Sequence, residues 1–132
     1  MSWDILIQDL PKDVTSVSEI PDNFQPAPLG LRNELIERIR SVAPSVDFTD
    51  PSWGQLATPE FSIEFNMGRE EMCSGIMLHV RGGDGASDFV AGLLHSLDVR
   101  AFDCSAGDFF AVPGALESFA RWQEYRDRVL KP

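Results

Sequence analysis

The sequence predicts an α+β domain: a ferredoxin-like split β-α-β-β-α-β antiparallel sheet with a C-terminal helix. Three observations carry this reading. Runs of period-two alternation stand at 3–8, 61–67, 75–81 and 99–103, with two runs of helical apolar spacing between them. The second and third alternating runs are joined by a link short enough for a hairpin, whereas a helix lies inside each of the other two connections. At 132 residues the chain can bury a core without disulfides or metals, so one domain over 1–132 is expected.

Taken in order, Trp3 to Gln8 places Trp3, Ile5 and Ile7 on one face and Asp4, Leu6 and Gln8 on the other. Residues 9–29 carry Pro11, Pro21, Pro26 and Pro28 and cannot sustain a regular hydrogen-bond ladder. The stretch is long for a connector, so either Val14, Val17, Ile20 and Phe24 pin it to the body or it has a function of its own. Leu31 to Ala43 is helical, with Leu31, Leu35, Ile39 and Val42 on one stripe and Pro44 as the stop. Ser45 to Glu60 is irregular around Asp50-Pro51-Ser52-Trp53-Gly54, and Trp53 is either a plug over the core edge or an exposed binding aromatic.

Phe61 to Met67 turns Phe61, Ile63, Phe65 and Met67 inward and Ser62, Glu64 and Asn66 outward. Gly75 to Arg81 answers with Ile76, Leu78 and Val80 inward and Met77, His79 and Arg81 outward. Cross-strand neighbours share a face, so Glu64, Asn66, His79 and Arg81 fall together in any register. Gly82, Gly83 and Gly85 lead into a helix over Ala86 to Leu97, striped by Phe89, Val90, Leu93, Leu94 and Leu97. Val99 to Asp103 is the last strand, and Ala115 to Val129 reads as a closing helix bearing Leu116, Phe119 and Trp122. Two right-handed crossovers then put the first and third strands at the centre and both helices on one face.

Charge narrows the partners. Eleven basic residues against 21 acidic ones give a net charge of −10, which opposes the counterion release that drives nucleic-acid binding. No stripe of Lys and Arg interleaved with aromatics offsets it, so no nucleic acid is expected despite the ferredoxin-like order. No apolar run approaches the ~20 residues that cross a bilayer. The N-terminus shows no signal-like segment, and Cys73 and Cys104 lack both metal-site spacing and disulfide density. A cytoplasmic protein with reduced thiols, without membrane association, is the expectation.

The outward sheet face holds the concentrated polar chemistry: Glu64, Asn66, His79 and Arg81, with Asp4 or Gln8 of the neighbouring strand. A histidine beside a carboxylate is a general-base arrangement, and an arginine can steady developing negative charge. The same residues serve equally as a satisfied surface network or as a ligand- or protein-binding face. Leu6 and Met77, with Phe102, interrupt the polar face with apolar surface, and the Trp53 loop is placed to rim it. The Arg81-Gly82-Gly83-Asp84-Gly85 turn lacks both GxGxxG spacing and a Walker lysine, and Asp84 or Ser87 could cap the helix itself, so the glycines serve geometry. Two histidines on different elements and no clustered ligands give no metal site and no cofactor. Cys73 lies near Glu70 and Glu71, which oppose thiolate formation.

The segments QDLP (8–11), EIPDNFQP (19–26), DPSWG (50–54), SIEFNMG (62–68), LHVRGGDG (78–85) and RAFDCSAGDFF (100–110) resemble a group of small uncharacterised bacterial proteins over residues 1–110. The resemblance implies a bacterial, cytosolic setting and carries no established activity with it. The leading functional expectation is a non-enzymatic binding or interaction protein using the open sheet face, through Trp53, Glu64, Asn66, Met77, His79 and Arg81, with a protein partner or a second copy of the chain. Alternatives are a small-molecule enzyme with His79, Glu64 and Arg81 in acid–base roles, and an immunity-like protein binding a basic partner. The last rests only on small size and acidity.

Overall fold

The computed structural model describes residues 2–83 and 85–110. The expected closing helix over 115–129 and the capping role of Asp84 lie outside them. Among the described residues eight strands and two α-helices follow one another, with a turn of 3-10 helix at Val17–Glu19: β1 (Trp3–Gln8), β2 (Gly30–Leu31), α1 (Arg32–Val42), β3 (Trp53–Ala57), β4 (Phe61–Asn66), β5 (Met72–Cys73), β6 (Ile76–Gly82), α2 (Ala86–Leu97), β7 (Arg100–Asp103) and β8 (Asp108–Phe109). Six form an antiparallel sheet in the order β3-β4-β6-β1-β7-β8, and β2 pairs with β5 in a separate antiparallel ladder. The architecture is α+β with an antiparallel sheet and two helices. It is wider than the four strands expected: β3 and β8 extend it at its two edges.

Alternation sorts the sheet into two faces. Ile5, Ile7, Ile63, Phe65, Ile76, Leu78 and Val80 are buried together with Leu35, Ile36, Ile39 and Val42 of α1 and Phe89, Val90, Leu93, Leu94 and Leu97 of α2. Both helices therefore pack on the inner face. Phe89 meets Phe65 edge to face at 6.3 Å between ring centroids, a favoured aromatic geometry. Leu31 departs from the expected stripe. It is the N-cap of α1, is exposed, and pairs with Met72 in the small ladder, while Ile36 takes the buried place.

Between residues 45 and 60, expected to be irregular, the chain forms an edge strand. In β3 the inward positions are Gly54 and Leu56, and the Phe48 ring fills the space beside Gly54. A Cβ there would lie 2.4 Å from Phe48 Cε1. Phe48, not Trp53, is the aromatic packed on the core edge, and it contacts Phe65 at 5.9 Å. Asp47 bridges Gln55 through both backbone hydrogen bonds, covering part of the β3 edge.

The long connector has Val14, Val17, Ile20 and Phe24 half-buried along it and is held by polar contacts as well. Arg100 Nη1 donates to the carbonyls of Pro11 and Val14, both at 2.7 Å, and its guanidinium lies 3.5 Å over the Phe109 ring. Asp108 accepts from Val17 N and Ser16 Oγ at 2.9 and 3.0 Å. At the other end of the sheet, Gly82 leaves β6 with φ +99°, and a Cβ there would sit 2.6 Å from the Glu60 carbonyl oxygen. Only glycine fits that turn. Gly85, also at positive φ, is the N-cap of α2, so Ser87 does not take that place.

Candidate functional site

Register lines the outer face up in rows. Pairing across β3, β4, β6 and β1 sets Gln55, Glu64, His79 and Asp4 side by side. The next row crosses the whole sheet: Trp53, Asn66, Met77, Leu6, Phe102 and Phe109. The six residues expected to form the site thus share this face, Trp53, Glu64, Asn66, Met77 and His79 half-buried and Arg81 exposed. Trp53 does so from strand β3 and not from a loop, so the expectation of a rimming loop is corrected.

The polar row is internally matched. Arg81 Nη1 donates to Glu64 Oε1, and Trp53 Nε1 donates to Glu64 Oε2 at 3.1 Å. His79 Nδ1 lies 2.9 Å from Asp4 Oδ1, which also accepts from Ser2 Oγ at 2.7 Å. The Trp53 indole stacks on the His79 imidazole at 5.8 Å with the planes 25° apart. Asn66 Oδ1 accepts from Gly68 N at 3.2 Å and so tightens the turn after β4.

These contacts set the charge states. The Arg81 hydrogen bond comes first in holding Glu64 below its ordinary value, against the desolvation that raises it. Asp4 is lowered by the Ser2 hydroxyl first and by His79 second. An ionised Asp4 only accepts, so His79 Nδ1 is the donor in this pairing. The sequence anticipated a His79–Glu64–Arg81 constellation; the hydrogen bonds instead join His79 to Asp4 and Arg81 to Glu64.

Elsewhere the thiols are poorly nucleophilic. Cys73 is buried in β5, and burial pushes its pKa up. This desolvation, rather than Glu70 or Glu71, is the cause. Cys104 is raised by desolvation, then by Asp4 and Asp103. Among the described residues no group of three or more His, Cys, Asp or Glu is placed to hold a metal ion, and no helix is long and apolar enough to cross a membrane.

Two features escaped the sequence reading. The Trp53–His79 stack needs β3, whose alternation is hidden by Gly54. The role of Arg100 as a clamp needs carbonyl acceptors, which no side-chain pattern marks. No family model, curated protein or solved structure matches the chain.

Proposed function

We propose that this is a non-enzymatic binding protein, that its working surface is the outer face of the sheet, and that its partner is another protein. The observation that carries the reading is the Leu6–Met77–Phe102 row. It is a half-buried apolar band on the face opposite both helices, with Trp53 at one end of the row and a polar row alongside. Protein interfaces combine an apolar centre with a polar rim in this way. Charges already paired within one chain carry less penalty when covered than unpaired ones. The net charge of −10 makes a partner with basic surroundings the complementary one, which is what the immunity-like reading contributes.

Within this proposal, β4-β6-β1-β7 with α1 and α2 is a ferredoxin-like unit widened by β3 and β8. Kinship with the small bacterial proteins and a cytoplasmic setting are carried as parts of the same proposal. Affinity capture with the folded full chain tests it: Met77→Asp and Trp53→Ala are expected to lose a partner that the unaltered chain retains. A partner held equally by both variants would overturn the proposed surface. Self-association belongs to the same test, and a concentration-dependent sedimentation coefficient abolished by Met77→Asp would make the partner a second copy.

The Asp4–His79 contact favours a second reading as a small-molecule enzyme. Here Asp4, not Glu64, orients the imidazole and Nε2 is the acid–base atom. It predicts turnover of an ester, amide or phosphate substrate that vanishes in His79→Gln and falls in Asp4→Asn. Turnover indifferent to His79→Gln would remove it.

A further inference from the structure

We infer that a cavity of about 260 Å³ beside the β2–β5 ladder binds a small carboxylate carrying an apolar group. This inference is independent of the outer face. The cavity is lined by Leu31, Arg32, Asn33, Arg69 and Glu71. In a chain with 21 acidic and 11 basic residues a guanidinium has carboxylates in surplus. Lys12 pairs with Asp98 and Arg81 with Glu64. Yet neither Arg32 nor Arg69 forms an ion pair with any described residue.

Arg32 spends Nη1 on the Gly68 carbonyl at 3.0 Å, and its Nε–H is buried without a partner. Arg69 makes no hydrogen bond to any described residue. Two under-matched guanidiniums in one cavity gain more from an arriving anion than satisfied ones do.

Beside the charge lies the apolar half. Leu31 and Met72 face one another across the ladder and are 37% and 46% exposed. Among the described residues they are the large hydrophobic side chains left in solvent. An apolar substituent lying over them would remove that surface from water. The lining also selects the head group. Among the lining residues two guanidiniums and the Glu71 carboxylate leave one positive charge, which Asp50 nearby reduces, so a monoanion is favoured over a dianion. A phosphate dianion would meet Glu71 and, nearby, Asp50. The Asp50 carboxyl is held low first by Ser52 and then by the fields of Arg69 and Arg32. At ~30 Å³ per water the space equals roughly nine waters, enough for a carboxylate and a short chain.

The test is a titration of the full chain with hexanoate, followed by amide chemical shifts. Saturable shifts are expected at Leu31, Arg32, Asn33, Arg69 and Met72. Arg69→Gln, which removes no hydrogen bond or ion pair to a described residue, weakens binding at least fivefold, and Glu71→Gln tightens it about twofold. At about pH 8.5 acetate lacks the apolar part, hexanol lacks the charge and inorganic phosphate is a dianion, so each binds at least tenfold more weakly. Absence of saturable shifts, indifference to Arg69→Gln, or phosphate binding as tightly as hexanoate would each overturn the inference.

Discussion

The two faces of the sheet are built from the same strands and do opposite things. On the inner face every large side chain of β1, β4 and β6 from Ile5 to Val80 is buried against α1 and α2. The neighbouring residues on the outer face, one position along each strand, form hydrogen-bonded pairs beside a half-buried apolar row. Period two thus divides buried from half-buried positions at single-residue resolution. A substitution at 65 belongs to folding, and one at 77, on the adjacent strand, belongs to binding if the proposed function holds.

The largest expected effect is on the inner side. Phe65→Ala removes a fully buried ring that contacts Phe48 and Phe89, and a loss of about 3–5 kcal/mol is expected in urea denaturation. Met77→Ala, half-buried on the outer face, is expected to cost about 1 kcal/mol or less in the same assay. Equal losses would erase the distinction between the faces.

Next comes the turn that ends β6, the strand both faces share. Gly82→Ala places a Cβ against the Glu60 carbonyl at a positive φ, and a loss of about 1–3 kcal/mol is expected from the shifted denaturation midpoint. Gly83 has open space beside it and lacks the positive φ. Gly83→Ala should therefore leave the midpoint nearly unchanged, which separates a local geometric need from a general need for glycine.

How much of this was legible in the sequence follows from the same division. The inner face was readable because large apolar residues alternate through β1, β4 and β6, and α2 matched its predicted bounds from Ala86 to Leu97. Strand β3 was not readable, because one of its two inward places is Gly54, kept small by Phe48. Strands β2, β5 and β8 hold two residues each, too few to display a period. On the outer face the sequence identified the membership of the cluster but not its pairing. Register alone leaves His79 beside both Glu64 and Asp4, its cross-strand neighbours on β4 and β1. Side-chain geometry decides for Asp4. Val14, Val17, Ile20 and Phe24 of the connector are half-buried, and Arg100 and Asp108 add holds through backbone groups that no side-chain pattern marks.

Smaller effects probe the outer network itself. Arg81 is 50% exposed and Glu64 27% at their side chains, so solvent screens the pair. A double-mutant cycle of Glu64→Gln and Arg81→Gln should return a coupling of about 0.2–1 kcal/mol, smaller still at high salt. The acid side gives the finest test. Asp4 and Glu64 have folded pKa values below their ordinary 3.8 and 4.5. In that range the unfolded chain binds more protons, so their contribution is complete above the ordinary values and is lost as pH falls through the folded ones. The Asp4→Asn/Glu64→Gln variant should flatten the decline of stability with acid below about pH 4.5. Among the described residues, Asp47, Asp50, Asp98 and Asp108 are lowered as well and contribute to the slope that remains.

The division between the faces is tested most directly by a photocrosslinking amino acid placed in the full chain, inside the cells that normally produce it. One position is Met77, on the outer face; the control is Glu37, on the exposed side of α1. The account predicts a discrete protein adduct from position 77 and none from position 37. An adduct from position 37 alone, or no adduct from 77, would contradict the assignment of the outer face as the working surface.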